Sequence, residues 1–297
     1  MVRLPRRGSP LASTLFVGLA ALVAALSLGC ASTPTTTDTT AKSTGAMPVS
    51  SSEPLLVIRP FTFNGAARHL ATWYPPGYFD PANSGKRWPL IVFLHGKGEC
   101  GTEGSKQTAQ GLVAAAQLNA AGWPCVIIAP QKQAVDGQWV QDQGYVMACL
   151  DSTLAAERVD PTRVYLTGLS QGGAGTWAIG ANKPDRFAAI APICGYGDPA
   201  PIAAKLTAMP IWAFHGLKDD VVPPAQSQAM VAAILAARTD MAKLGGADAG
   251  TPGPGANVKG PKPKLTLLPD ANHNSWDAAY RATGNDSLWA WMSGFSK

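Results

Sequence analysis

A strand-like run, Arg163-Val164-Tyr165-Leu166-Thr167, meets a helix-like run, Ala174 to Asn182, across Gly168-Leu169-Ser170-Gln171-Gly172-Gly173. A connection this short has to be sharp. It forces strained backbone angles on Ser170, and glycines on both sides let strand and helix approach without Cβ clashes. The Ser170 hydroxyl then stands at the top of a sheet and at the N-terminus of a helix, whose dipole favours developing negative charge. The pattern predicts a nucleophile at Ser170.

A serine hydroxyl needs a general base, and the base needs a third group to orient it. The chain has four histidines. His69 lies in an alternating strand-like run. His95 and His215 each end a strongly apolar run and are each followed by glycine. His273 lies late in the chain, on a loop after the apolar run Lys264 to Leu268. In the order nucleophile, acid, histidine, His273 is the base. The acid should then follow a strand between Ser170 and His273. Asp219 and Asp220 both qualify, and spacing alone does not separate them. Asp270 is too close in sequence to His273 to orient it from a separate strand end.

Acyl transfer also needs donors aimed at an oxyanion. One is expected from the backbone N–H of Gln171, the residue after the nucleophile. The other is expected from the glycine-rich loop His95-Gly96-Lys97-Gly98-Glu99-Cys100-Gly101, with the Lys97 main chain first and Gly98 behind it. Trp139 and Trp276 are candidates for an apolar substrate wall, whereas Trp177, about two turns into the nucleophile helix, reads as core.

Four segments together resemble one family. They are Gly168 to Trp177, the His95-Gly96 loop, His215-Gly216-x-x-Asp219-x-x-Val222-Pro223, and Asp270-Ala271-Asn272-His273-Asn274-Ser275-Trp276. The chain from about Arg68 onward is similar to α/β-hydrolase carboxylesterases, including phospholipase/carboxylesterase-like and polyhydroxybutyrate-depolymerase-like secreted esterases. Some relatives are labelled predicted peptidases. The resemblance implies that Asp219, in the His-Gly-x-x-Asp motif, is the triad acid. Two departures bear on substrate preference: Cys100 stands where a polar residue is expected, and Gly245 to Pro263 looks inserted.

The first 30 residues read as a signal peptide. Arg3, Arg6 and Arg7 precede an apolar run, Leu11 to Gly29, that ends at Gly29-Cys30. That end resembles a bacterial lipoprotein site with Cys30 as the lipidated residue; a plainly cleaved signal and an uncleaved anchor are the alternatives. Residues 31–53 are rich in Ser, Thr and Pro and read as a disordered linker. Residues 54–297 read as the catalytic domain, with a Gly/Pro-rich surface loop at 245–263. The expected location is periplasmic, outer-membrane-anchored or secreted.

The formal charge of +5 falls to +2 beyond Cys30 and no helix carries a basic cluster, which disfavours nucleic acid as a partner. Cys100, Cys125, Cys149 and Cys194 allow one or two disulfides in an oxidising compartment, or buried free thiols. No Cys-x-x-Cys or other metal spacing occurs, so neither metal nor cofactor is expected.

Strands are predicted at Leu55–Phe63, Arg68–Tyr74, Leu90–Leu94, Val126–Ala129, Val164–Thr167, Ala188–Ile193, Ile211–Phe214 and Lys264–Leu268. Helices are predicted at Ser105–Ala121, Asp142–Glu157, Ser170–Asn182, Pro224–Ala237, Ser275–Arg281 and Ser287–Ser293. Continuous apolar strands alternating with helices imply an α/β fold with a mostly parallel sheet of about eight strands, edged by an antiparallel hairpin through Asn64-Gly65. The expected activity is hydrolysis of short-chain or aryl esters, with hydroxycinnamoyl esters and polyester oligomers among the candidates. The alternatives are a serine peptidase of the same fold and a non-catalytic envelope binding protein.

Overall fold

The computed structural model describes residues 52–244 and 260–297. The predicted signal peptide with Cys30, nearly all of the linker and most of the 245–263 loop lie outside the described residues. The strands are β1 Leu55–Phe63, β2 Ala66–Tyr74, β3 Trp88–Leu94, β4 Val126–Pro130, β5 Val159–Leu169, β6 Ala189–Ile193, β7 Trp212–Gly216 and β8 Lys264–Leu268. The helices are α1 Gly111–Leu118, α2 Gln143–Ala156, α3 Gln171–Asn182, α4 Ala200–Ala203, α5 Ala225–Leu244, α6 Trp276–Arg281 and α7 Leu288–Met292.

All eight strands form one sheet in the order β1-β2-β4-β3-β5-β6-β7-β8. β1 and β2 pair antiparallel through a tight turn in which Asn64 and Gly65 both take positive φ, 49° and 77°. That is the turn geometry whose twist suits a two-residue hairpin. β2 also runs antiparallel to β4, and the remaining pairs are parallel.

Every residue of β3, β4 and β6 is buried, because helices cover both faces. Successive side chains of β3 enter opposite layers: Leu90, Val92 and Leu94 pack with α2, α3, α4 and α5, while Ile91 and Phe93 pack with α1, α6 and α7. Two consequences follow for the site. The parallel strands β3, β5, β6, β7 and β8 end on one rim, and short connections there carry the polar residues.

The single helix expected over Ser105–Ala121 is instead a 3-10 turn at Lys106–Thr108, α1, and a second 3-10 turn at Ala120–Gly122. Gly111 takes φ 69°, which stops a helix arriving from Ser105, and a Cβ there would lie 2.6 Å from both Phe93 and Leu169. The close approach at 111 overrides local helix propensity. The short helix α4, opened by Pro199 and Pro201 around Ala200, carries no amphipathic period that would announce it.

Candidate active site

Ser170 is placed by the elbow between β5 and α3. Its backbone takes φ 54° and ψ −116°, a strained conformation for a residue with a Cβ. Such strain persists only where the surroundings over-determine it, and here they do. A Cβ on Gly172 would lie 1.9 Å from the Leu94 carbonyl oxygen, so only glycine admits this packing of α3 against β3. The amide of Ser170 donates to Ile193 O at 3.0 Å and its carbonyl accepts from Ala174 N at 2.9 Å, which ties the turn to β6 and to α3.

His273 Nε2 lies 2.9 Å from Ser170 Oγ. Its Nδ1 lies 2.8 Å from Asp219 Oδ2 and 3.0 Å from Oδ1. Asp219 is buried, and its Oδ1 accepts the amides of Val221 at 3.0 Å and Val222 at 2.8 Å. Its neighbour Asp220 is exposed, and Asp270 is an exposed partner of Lys218 at 2.8 Å. The structure thus brings Ser170, His273 and Asp219 together and leaves the two competing aspartates outside.

Lys97 and Gln171 face the same cavity as Ser170, and among the described residues no hydrogen-bond acceptor takes the amide of either. His95 fixes the loop that carries Lys97. The Lys132 amide donates to His95 Nε2 at 2.9 Å, so Nδ1 carries the proton and donates to Gly96 O at 2.7 Å. Burial pushes the His95 imidazole down to about 4, which keeps it neutral. Because carbonyl and N–H point oppositely across a trans peptide, anchoring Gly96 O turns the Lys97 N–H the other way. The Gln171 side chain is occupied elsewhere: its amide donates to Gly137 O at 3.0 Å, and Cys100 Sγ approaches its Oε1 at 3.8 Å. Cys100 is therefore buried behind the loop that carries Lys97 and does not line the cavity.

The two tryptophans part company. Trp276 lines the cavity and meets His273 edge-on, ring centres 5.5 Å apart. Trp139, expected on the substrate wall, is fully buried, and its indole N–H donates to His95 O at 2.9 Å. It supports the loop that carries Lys97 through His95. A hydrogen-bond donor on a large ring finds a buried carbonyl more readily than it lines a wet pocket.

The cavity measures about 780 Å³. Leu169, Val221, Val222, Pro223 and Trp276 give it apolar walls; Glu99, Gln110, Tyr196 and Gln226 add polar groups that the motifs did not announce. Cys194, Asp219 and His273 present ligand-type atoms within 4.8 Å of one another, but the aspartate and histidine are hydrogen-bonded to each other. Burial pushes the Cys194 thiol up to about 12.

A serine elbow at the carboxyl rim of a mostly parallel, doubly covered sheet defines the α/β-hydrolase class, and the chain has that fold. No protein-family model matches it. It is 30% identical over 146 residues to NocK of Nocardia uniformis subsp. tsuyamanensis, named as an esterase, covering 46% of this chain and 41% of that one. It is 32% identical over 136 residues to poly(3-hydroxyalkanoate) depolymerase C of Paucimonas lemoignei, covering 39% of this chain and 28% of that one. The crystal structure of a thermostable esterase superposes with a TM-score of 0.64 at 26% identity, over 82% of this chain and 63% of that one. The match thus spans less than half the length of either curated relative.

Proposed function

We propose that the chain is a serine carboxylesterase in which Ser170 is the nucleophile, His273 the general base and Asp219 the orienting acid. The continuous Ser170–His273–Asp219 hydrogen-bond path, opening onto an apolar-walled cavity, carries this reading. His273 takes the Ser170 proton as Oγ attacks the ester carbonyl carbon. Asp219 holds the imidazole tautomer and stabilises the imidazolium. The N–H groups of Gln171 and Lys97 receive the oxyanion; losing one such donor typically costs on the order of 3 kcal/mol in the barrier. The imidazolium then protonates the leaving alcohol, and water attacks the acyl-enzyme by the same route.

The cavity lies within the range of small-molecule sites, roughly 300–1,000 Å³. Its Trp276, Leu169 and Val222 walls suit short-chain or aryl acyl groups, with feruloyl esters and polyester oligomers as candidates. The names of the two curated relatives support an ester bond as the target.

Hydrolysis of p-nitrophenyl acetate and butyrate, with Ser170→Ala beside the parent, tests the reading. The expected result is turnover in the parent and loss of about 10⁴-fold or more in the variant. A folded parent with no turnover and no fluorophosphonate adduct on Ser170 would sink it and turn attention to a binding role; an adduct without ester turnover would favour peptide substrates. We further propose, from Arg3, Arg6 and Arg7 ahead of the apolar run that ends at Gly29-Cys30, that the protein lies outside the cytoplasm, lipid-linked through Cys30. Detergent-extracted protein should carry an acyl mass that Cys30→Ala removes; an unmodified Cys30 would rule the link out.

A further inference from the structure

Asp219 lies between two imidazoles. Its Oδ2 is 2.8 Å from His273 Nδ1 and 3.2 Å from Nε2 of His215, the fully buried histidine near the end of β7. The same Nε2 lies 2.9 Å from the Val222 carbonyl oxygen. Both of these neighbours accept hydrogen bonds, so His215 Nε2 carries a proton. On the other side of the ring, Nδ1 lies 2.7 Å from Oγ of Ser227, a fully buried residue in the first turn of α5. Ser227 Oγ is in turn 3.4 Å from Gly195 O. The resulting chain is Ser170–His273–Asp219–His215–Ser227: two Ser–His pairs share one carboxylate, one open to the cavity and one sealed in the interior.

Resting on the esterase reading above, we propose that His215, set by Ser227, is a positioning residue for the triad. Its Nε2–H is bonded to the Val222 carbonyl, which holds the Val221–Val222 turn whose amides bind Asp219 Oδ1, and the same Nε2 stands 3.2 Å from Oδ2, the oxygen those amides leave untouched. The two amides on Oδ1 and the positive Nε2–H edge beside Oδ2 fix the rotation of the carboxyl group, so that one edge faces His273. Ser227 has one hydroxyl proton; Nδ1 at 2.7 Å is a much closer acceptor than Gly195 O at 3.4 Å, so the proton goes to Nδ1 and holds the neutral Nε2–H tautomer. A doubly protonated ring at this place would draw the Asp219 charge away from His273. The neutral donor withdraws only part of it, and His273 can still release its proton to the leaving alcohol.

The other titratable groups that share the cavity or the triad with His273 are Lys97, Glu99 and Tyr196 on the cavity wall and the Cys194 thiol at the end of β6. Cys194 also borders Asp219, and none of the four is altered in the variants below.

Nitrogen-15 histidine spectra of the intact, unsubstituted protein provide the first test. His215 should show the neutral Nε2–H tautomer throughout the pH range in which His273 titrates; an Nδ1–H tautomer, or protonation together with His273, overturns the proposal. The variants provide the second test. Loss of the Val222 anchor and of the N–H dipole beside the Asp219 charge should lower kcat about 10- to 100-fold in His215→Leu, with KM within about twofold. The His273 titration and the acid limb of kcat/KM should both move to higher pH, because the undiminished carboxylate charge favours imidazolium. His215→Gln, which can return an N–H to the Nε2 position, should recover most of the loss, and Ser227→Ala should fall between. A packing defect would lower stability without moving the titration. Folded His215→Leu with parental kcat and an unmoved His273 titration overturns the inference. If the parent itself hydrolyses no ester, the esterase reading fails separately, and the two NMR measurements still decide the role of His215.

Discussion

At the scale of single residues, the site depends on groups whose protonation is set by burial. His95 is 1% exposed and accepts a main-chain amide on Nε2, so a second proton would break that bond inside the core. Its folded value of about 4 lies below the ordinary 6.5 of an unfolded imidazole. As pH falls through 6.5 the unfolded chain therefore takes up a proton that the folded protein refuses. The stability tied to His95 is complete above about pH 6.5 and drains away toward pH 4, at about 1.4 kcal/mol per pH unit. Between pH 7 and pH 4.5 the parent should lose on the order of 3 kcal/mol more than His95→Gln, read from urea unfolding at the two pH values. Equal losses would mean that His95 charges freely in the folded state. The same substitution frees Gly96 O, so the ester hydrolysis proposed above should drop even at pH 7, where the stabilities differ least through this titration.

At the scale of elements, the legible parts are those in which one chain segment carries its own constraint. The β5–α3 elbow needs glycine at 168 and 172, where a Cβ would strike Leu94 O, and at 173, where it would strike Ile193 O. β3, β4 and β6 read as strands because both faces are covered, leaving unbroken apolar runs. His273 and Asp219 could be picked out because each sits just beyond a strand end, although Asp219 needed the family motif to separate it from Asp220. Burial makes the same separation physically: Asp219 accepts two amides in the interior, and Asp220 faces solvent. What stayed illegible depends on distant partners. Gly111 breaks the expected helix because Phe93 and Leu169 crowd it, and neither is a sequence neighbour. Trp139 turns inward because His95 O lies beneath it, 44 positions away in the chain. His215 and Ser227 sit on different elements, so no local period links them, although a buried histidine at a strand end is a polar group that must find partners.

At the scale of the whole molecule, the sheet divides the interior into two layers, and the division decides the state of the cysteines. Cys149 lies in the layer with α2 through α5, while Cys125 and Cys194 lie in the layer with α1, α6 and α7. Cys100 lies in the loop after β3. A disulfide needs its two Cβ atoms within about 4.5 Å, which a sheet with side chains on both faces denies to Cys149 and either cysteine opposite. All four are free and buried. Burial also pushes the thiols up, Cys149 and Cys194 to about 12, so the reactive thiolate is scarce at neutral pH. An oxidising compartment should therefore leave these cysteines unpaired, because all four are buried and free in the folded chain. A chain beginning at Ala31 should react with Ellman's reagent at no thiol while folded and at four in guanidinium without reductant. Fewer than four in the denatured, unreduced chain would reveal a disulfide and refute the free state of the four thiols, and a disulfide at Cys149 to Cys125 or Cys194 would refute the two-layer account as well, whereas fast reaction in the folded state would mean that one layer opens to solvent.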